Sequence, residues 1–260
     1  MLEIAPAARA LLAALGLDRY EALFDLEGGE RHSQNRPWRL LHRVPLGDGA
    51  HGWLKRYRFP RPSIRFGLFA SPLKREWRNL RWLAARSLPA ADPLAFGERR
   101  SGPALRDTLL LTREVPGAHD LRTLCAGGRP ADARGLIDAL AGATAAMHRA
   151  GFCHRSLRWQ DVLARRDEDG WRVFFLDCPL GGPRRGPWLR AGIARDLAHL
   201  DRDAPGRFTR TERLRFLRSW LGPRWGARRG WLRRVHPLAE RFRRRRDRAA
   251  QRAVRTPSRG

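Results

Sequence analysis

The sequence has 260 residues, of which 42% are hydrophobic, so it is long enough to bury one large core or two lobes. Its 53 basic residues exceed its 26 acidic residues, and the net charge of +27 is expected to attract polyanions. No apolar run reaches the ~20 residues of a membrane span, and three scattered cysteines without a CxxC motif indicate a reducing cytoplasm rather than a disulfide framework.

Apolar spacing and turn residues predict the elements in chain order. They are a helix over 7–24, two strands over 36–46 and 52–59 joined by a glycine-rich turn, a loop over 60–72, an amphipathic helix over 73–87, a strand over 107–115, a helix over 132–151, a strand over 171–177, and helices over 194–202 and 209–222. The start of the first helix, Ala7–Leu17, is interpreted as a helix and not as a signal peptide, because it follows an acidic start and lacks a cleavage site.

The order of these elements predicts a two-lobed α+β fold, because strands come first and helices follow, with one early helix among the strands. The predicted domains are an N-terminal helical extension over 1–20, a small lobe over 21–115, a larger lobe over 116–240 and a basic tail over 241–260. From Arg243 onward the chain is arginine-rich without apolar periodicity, so the tail is predicted to be mobile.

The two lysines are informative, because the other 51 of the 53 basic residues are arginines. A lysine in such a chain suggests a site where a compact ammonium works and a guanidinium fork does not. Lys55 lies in the apolar-flanked strand WLKRY, and the second lysine, Lys74, begins the helix that follows.

The stretch GDGAHG (47–52) matches G-x-G-x-x-G but is interpreted as a hairpin turn. A dinucleotide site needs a helix directly after the glycines, and here a strand follows. Lys55 also comes too soon after Gly52 for an intervening strand. A phosphate-covering loop is therefore expected earlier, around Gly28–Arg36.

Several residues occur in the order that a nucleotide-binding phosphotransferase requires. Lys55 on a strand and Glu76 on the next helix can form the ion pair that holds a lysine against the α- and β-phosphates. Glu114 ends a strand expected beside an adenine. Asp177 ends an apolar strand, 21 residues after Ser156, where a metal-holding aspartate belongs.

The segment HRSLRWQDVL (154–163) contains the remaining candidates, His154, Ser156 and Asp161. Ser156 stands where a kinase loop carries the aspartate that accepts the proton of the acceptor hydroxyl, and a serine hydroxyl has no useful basicity at neutral pH. Asp161 stands at the place of a second metal ligand, where a carboxylate can still bind Mg²⁺. A lone histidine such as His154 is more often structural than catalytic.

On these segments the chain resembles the lipopolysaccharide kinase (Kdo/WaaP) family, bacterial relatives of the protein-kinase fold. The resemblance runs from about Tyr20 to Gly222 and is carried by EALFDLEGGE, WLKRYRFP, KREWRNLRWL, GFCHRSLRWQDVL, VFFLDCPLG and RDLAHLDR with RTERLRFLRSWLG. It implies an ATP- and Mg²⁺-dependent phosphotransferase acting on a core sugar (heptose or Kdo) of lipid A-linked lipopolysaccharide, in the cytoplasm at the inner membrane.

The resemblance also implies roles for individual residues. Lys55 and Glu76 match the family's ATP-anchoring pair, Asp177 matches its magnesium aspartate, and Asp196 matches a buried aspartate that steadies the catalytic loop. Ser156 and the aspartate at position 161 depart from the family pattern.

Two other functions stay open. A pseudokinase keeps the fold as a binding or scaffolding module, with or without ATP binding. A nucleic-acid-binding protein is supported by charge alone, without a recognisable binding motif. The segment 219–235 (SWLGPRWGARRGWLRRV) is either an interfacial segment that meets anionic lipid or the closing helices of the larger lobe with a solvated arginine face.

Overall fold

The computed structural model describes residues 1–26, 30–33 and 38–255, which divide into two compact units, Met1–Gly117 and the chain from Ala118 onward. The strands are β1 (Leu2–Ile4), β2 (Glu30–Ser33), β3 (Arg39–Pro45), β4 (His51–Ser63), β5 (Pro93–Ser101), β6 (Ala104–Arg113), β7 (His119–Asp120), β8 (Phe152–Cys153), β9 (Val162–Asp167), β10 (Gly170–Phe175) and β11 (Gly182–Pro183). The α-helices are α1 (Arg9–Ala14), α2 (Tyr20–Phe24), α3 (Arg65–Leu68), α4 (Pro72–Ala84), α5 (Leu121–Leu124), α6 (Ala133–Arg149), α7 (Gly186–Asp203), α8 (Arg210–Leu221) and α9 (Arg228–Arg255).

The described strands of the first unit form an antiparallel sheet in the order β1-β5-β6-β4-β3-β2. Strand alternation sends Leu54 of β4 into the apolar cluster that contains helices α1 and α2. The next residue, Lys55, therefore points to the opposite face, where α4 lies. Helix α4 buries Leu73, Trp77 and Leu80 on one face, which agrees with the amphipathic helix predicted over 73–87.

The first unit also contains elements that sequence analysis missed. The predicted helix over 7–24 is broken at Gly16, whose φ of +67° ends α1 before α2 begins. Strand β1 precedes both helices and pairs with β5, which was itself not predicted. The predicted loop over 60–72 is wrong in part, because β4 runs to Ser63 and α3 follows it.

The hairpin prediction for GDGAHG is confirmed, because the segment joins β3 to β4 with Pro45 opposite His51. Gly47 and Gly49 take φ values of +79° and +71°, which favour glycine, and Leu46 donates its N–H to the Ala50 carbonyl at 2.8 Å. The phosphate-covering loop expected around Gly28–Arg36 lies outside the described residues except for the backbone of β2.

The second unit packs a three-stranded sheet, in the order β10-β9-β7, with helices α6 to α9. Helix α7 approaches strand β8 closely at Gly192, where a Cβ atom would lie 2.3 Å from Cys153 Sγ. Thr209 precedes helix α8 as its N-cap, and its hydroxyl and backbone form a capping box with Glu212.

The prediction of a mobile tail from Arg243 is wrong as far as Arg255, because α9 continues to that residue. Ala239 and Phe242 of α9 pack against Ala198 of α7. Arg243 adds an ion pair with Asp201 of α7 at 2.8 Å. A few apolar residues and the ion pairs to α7 therefore hold this part of α9 in place, although its sequence has no apolar periodicity. None of the helices within residues 1–26, 30–33 and 38–255 is long and apolar enough to cross a membrane.

Candidate active site

The first unit contains a buried ion pair between Lys55 and Glu76. Lys55 Nζ lies 2.6 Å from Glu76 Oε1, and the two side chains are 14% and 2% exposed. Lys55 is fixed within β4 between Leu41 of β3 and Leu110 of β6, and Glu76 lies on the buried side of α4. An ion pair in this position holds the Lys55 ammonium group in one place. The buried Glu76 carboxylate in turn needs a cation beside it in order to stay ionised.

The second lysine has a different setting. Lys74 Nζ lies 3.9 Å from Glu98 Oε2, which also pairs with Arg100 at 2.8 Å. The structure places Lys74 half-buried beside the buried Glu98 carboxylate. Because Arg100 shares Glu98, removal of the lysine leaves that carboxylate paired.

Glu114, expected beside an adenine, directly follows β6. Its carboxylate accepts two hydrogen bonds from Arg43, at 2.9 and 2.8 Å, and its N–H donates to the His51 carbonyl at 2.9 Å. The side chain therefore ties the end of β6 to β3. Any recognition of a base at this position falls to groups other than this carboxylate.

In the second unit, Asp196 holds the start of the 154–161 loop. Its buried carboxylate accepts the N–H of His154 at 2.8 Å and of Arg155 at 2.6 Å. Arg155 has a φ of +65°, a left-handed conformation that costs a non-glycine residue of order 1–3 kcal/mol. The two hydrogen bonds to one carboxylate offset that cost, which agrees with the steadying role expected of Asp196.

A relay of hydrogen bonds connects Asp196 to helix α8. Trp220 Nε1 donates to His148 Nδ1 at 3.1 Å, so His148 carries its proton on Nε2, which faces Asp196 Oδ2 at 3.3 Å. The relay fixes both the tautomer of His148 and the orientation of the carboxylate that holds the loop.

His154 positions the strand that leads to Asp177. Its ring is buried, and Nε2 donates to the Leu176 carbonyl at 2.6 Å. Leu176 in turn donates its N–H to the Asp161 carbonyl at 2.9 Å. The backbone before Asp177 is thus held on both sides. The structure therefore gives His154, a predicted catalytic candidate, a positioning contact.

Asp161 is buried and bound by Arg158. Arg158 Nε lies 2.8 Å from Asp161 Oδ2, and Nη2 lies 3.1 Å from Oδ1. Burial raises the pKa of Asp161, whereas the hydrogen bonds from Arg158 act to lower it. The sequence prediction treated Asp161 as an available metal ligand, but both of its oxygens are already engaged.

Asp177 and Ser156 are the remaining candidate site residues. Asp177 has a φ of +51° and keeps its side chain 39% exposed, with Oδ2 at 3.7 Å from Arg158 Nη2. Ser156 is half-buried, and its carbonyl accepts the N–H of Arg158 at 2.8 Å. The loop thus brings Asp161, Asp177 and Arg158 together.

Sequence analysis missed Arg158 because it is one of 51 arginines. The available signal was its spacing, two residues after Ser156 and three before Asp161. In a 3₁₀ turn, residues three apart lie on the same side, so a basic and an acidic residue at that spacing meet.

Comparison with known proteins decides the family. A family model described as the lipopolysaccharide kinase (Kdo/WaaP) family matches residues 53–220, well over half of the chain and every candidate site residue. The chain belongs to this family. A lipopolysaccharide core heptose(I) kinase WaaP from Pseudomonas aeruginosa PAO1 is 30% identical over 158 residues, which cover 57% of this chain. The matched stretch covers 59% of that relative, which is less than two thirds of its length.

Two solved structures share the fold. A structure described as WaaP in complex with acyl carrier protein has a TM-score of 0.67 and 24% identity, covering 93% of this chain and 98% of its own. The Rio2 kinase from Chaetomium thermophilum has a TM-score of 0.52 and 14% identity, covering 91% and 77% respectively. The predicted two-lobed, protein-kinase-like α+β fold is confirmed, and family membership supports a kinase-like function.

The family implies ATP and typically a divalent metal, and the donor atoms of the second unit test how a metal fits. The Asp177 side chain is 39% exposed, and a carboxylate oxygen is a ligand that Mg²⁺ prefers. Asp161 does not offer one, because Arg158 binds both of its oxygens. In the part of the chain that the structure describes, no three metal-binding side chains cluster. These residues fit a Mg²⁺ ion that Asp177 would hold.

Proposed function

We propose that the chain is an ATP-dependent phosphotransferase whose acceptor is a sugar hydroxyl of the lipopolysaccharide core. The observation that carries the proposal is the buried Lys55–Glu76 ion pair at 2.6 Å, inside the stretch that matches the family model. The P. aeruginosa relative is named for heptose, so a heptose of the core is the acceptor to test first.

The chemistry is a phosphoryl transfer. The acceptor oxygen forms a bond to the γ-phosphorus, and the bond from that phosphorus to the β–γ bridging oxygen breaks. Lys55 would neutralise charge on the α- and β-phosphates. Asp177 would hold a divalent cation, which would supply further positive charge to the phosphates. Ser156 cannot accept the hydroxyl proton, so the proton leaves to water or to a phosphate oxygen. A positioned base contributes about 10²–10⁴-fold, and turnover is expected to be lower by that factor.

A pseudokinase is the second candidate, and specific observations favour it. Ser156 supplies a neutral hydroxyl at the base position, and Asp161 is neutralised by Arg158. Under this proposal the chain binds nucleotide through Lys55 and transfers no phosphate.

Thermal unfolding with and without Mg·ATP tests nucleotide binding, which both candidates share. A ligand at a hundredfold excess over Kd stabilises the native state by about 2.7 kcal/mol. For a chain of this size that corresponds to a rise in Tm of roughly 5–10 °C. A Tm unmoved by millimolar Mg·ATP contradicts both candidates. Phosphate transfer from radiolabelled ATP to heptose-containing core oligosaccharide then separates them.

Lys55→Ala is expected to abolish the nucleotide-induced rise in Tm, and Lys74→Ala is the matched control. Lys74 is the other lysine of the chain, and Arg100 keeps its partner Glu98 paired when it is removed. The control is expected to keep at least four fifths of the shift. Equal shifts in the two variants show that Lys55 does not anchor the phosphates.

We further propose acyl carrier protein as a partner, with an acyl chain entering the second unit. The support is a mainly apolar cavity of about 680 Å³, a size that suits a small-molecule ligand. Its walls come from α6, α7, α8 and α9 and include Leu136, Leu140, Leu197, Leu217 and Trp231. A structure with this fold is a complex with acyl carrier protein.

Size-exclusion binding with purified acyl carrier protein tests this partner. The acylated form is expected to co-elute, and Leu140→Trp, which fills the cavity, is expected to weaken binding at least tenfold. Leu180→Trp, at an exposed leucine outside the cavity, is the control. Equal binding of acylated and unacylated carrier protein shows that the cavity does not take the chain.

A further inference from the structure

The further inference concerns Arg158, which contacts both carboxylates of the predicted metal site. Its guanidinium makes two hydrogen bonds to Asp161, at 2.8 and 3.1 Å, and one of its nitrogens also lies 3.7 Å from Asp177. We propose that Arg158 takes the place of a second metal ion, so that the chain binds nucleotide with one divalent cation, held by Asp177. The proposal rests on the proposed nucleotide binding.

Charge balance is the first argument. The Asp161 side chain is only 3% exposed, and a carboxylate so buried needs a cation or a proton. Arg158 supplies a permanent positive charge in a fork whose geometry matches both carboxylate oxygens. A divalent ion on Asp161 has to displace two hydrogen bonds and leave a guanidinium beside a second positive centre.

Local geometry is the second argument. Asp161 donates its N–H to the Arg158 carbonyl at 2.9 Å, which closes the turn between them. The backbone N–H of Arg158 in turn donates a hydrogen bond to the Ser156 carbonyl at 2.8 Å. The pair is therefore built into the loop, and little conformational freedom is lost in making it.

The partial exposure of the Arg158 guanidinium allows a second contact, to a phosphate. The Arg158 side chain is 33% exposed, so it faces solvent on one side while binding Asp161 on the other. It can therefore donate to a phosphate oxygen while it neutralises Asp161. Nucleotide binding is expected to depend on Mg²⁺ through a single site.

The test counts Mn²⁺ ions by electron paramagnetic resonance at saturating AMP-PNP, a non-hydrolysable ATP analogue. One Mn²⁺ per chain is expected in the parent and two in Arg158→Gln, which releases Asp161. Arg158→Lys keeps the charge and is expected to bind one. Arg172→Gln is the control, because Arg172 pairs on the surface with Asp167, and it is expected to bind one.

A second arm titrates Mn²⁺ alone, without nucleotide. Arg158→Gln is expected to bind Mn²⁺ at least tenfold more tightly than the parent does. Two ions in the parent, or one in Arg158→Gln with unchanged affinity for Mn²⁺ alone, overturns the proposal. The number of Mn²⁺ ions bound by the parent chain tests the proposal even if Arg158→Gln does not fold. Failure of every variant to bind AMP-PNP instead contradicts the proposed function, and the Mn²⁺-only arm then still decides the role of Arg158.

Discussion

Ser156 is the residue on which we propose that catalytic competence depends. Its backbone carbonyl is used by Arg158, so a substitution of the side chain leaves that contact in place. The surrounding loop is held through Asp196 and His154 rather than through the serine. The position can therefore be tested without disturbing the loop.

Ser156→Asp is expected to raise phosphate transfer to a heptose-containing core acceptor by tenfold or more. A carboxylate accepts a proton that a hydroxyl cannot, and a positioned base contributes about 10²–10⁴-fold. Initial rates with radiolabelled ATP provide the measurement. Ser156→Asn, of similar size but without a basic oxygen, is the control. A parent that already turns over briskly and gains nothing from the aspartate shows that another group supplies the base.

His199 makes the stability of the second unit sensitive to acid. It is buried on α7, stacks on Phe242 at 4.2 Å, and its ring nitrogens have no hydrogen-bond partner among the described residues. Burial lowers the pKa of His199 to about 4, and Arg195 and Arg202 add to the effect. Because the folded pKa lies below that of the unfolded chain, this stability is complete above pH 6.5 and is lost as the pH falls toward 4.

His199→Leu is expected to flatten the pH dependence of the free energy of unfolding between pH 6.5 and 4 by up to about 1.4 kcal/mol per pH unit. Urea unfolding at several pH values provides the measurement. His236→Leu, at an exposed histidine of α9, is expected to leave the slope unchanged. A slope that His199→Leu does not alter would show that the folded chain protonates this ring at the same pH as the unfolded chain does.

At the scale of elements, α8 depends on its N-cap residue, Thr209. The hydroxyl of Thr209, and not that of Thr211, accepts the N–H of Glu212 and caps the helix. Thr209→Ala is expected to lower the free energy of unfolding by about 0.5–2 kcal/mol. Thr211→Ala, at an exposed position on the same helix, is expected to change it by less than about 0.5 kcal/mol. Urea denaturation of both variants checks the order, and an equal loss would contradict the cap.

Elements with strong apolar periodicity were predictable, and those hidden by arginine or proline were not. Strand β9 buries only Val162 and Ala164 among arginines, which leaves a weak alternation. Strand β4 passes through Pro60 and Pro62, where its pairing with β6 is interrupted. A strand predicted from apolar alternation therefore ends at these prolines. Secondary structure at these places is decided by the neighbouring strands.

In the candidate site, too, some contacts were predictable from the sequence and others were not. Lys55 and Glu76 were predictable as a pair, because a strand and the following helix bring them to one face of the sheet. The bond between Arg158 and Asp161 depends on side-chain direction within a short turn. The commitment of the Glu114 carboxylate to Arg43 depends on a residue 71 positions away. Neither contact leaves a mark in composition or periodicity.

For the whole molecule, the net charge of +27 predicts salt-dependent binding to anionic membranes. Helix α9 presents exposed arginines at 244, 245 and 248, whereas Arg243 and Arg246 are engaged in ion pairs with Asp201 and Asp203 of α7. We expect the exposed set to meet lipid phosphates and the paired set to hold the helix in place.

Replacement of Arg244, Arg245 and Arg248 by glutamine is expected to weaken binding to phosphatidylglycerol vesicles at least tenfold, since each arginine near such a surface contributes about 1 kcal/mol. Vesicle co-sedimentation at two salt concentrations provides the measurement. The control removes three exposed arginines from the first unit, at positions 9, 75 and 106. Equal losses in the two triple variants would assign the binding to overall charge.

The close approach at Gly192 has an evolutionary consequence. Asp196 lies one helical turn after Gly192, so the contact of that glycine with Cys153 sets how near α7 brings the carboxylate to the backbone of His154. A methyl group at 192 would push the helix outward and stretch the hydrogen bonds to the loop. Positions 192 and 153 are therefore expected to vary together among relatives, with a larger residue at one accompanied by a smaller residue at the other.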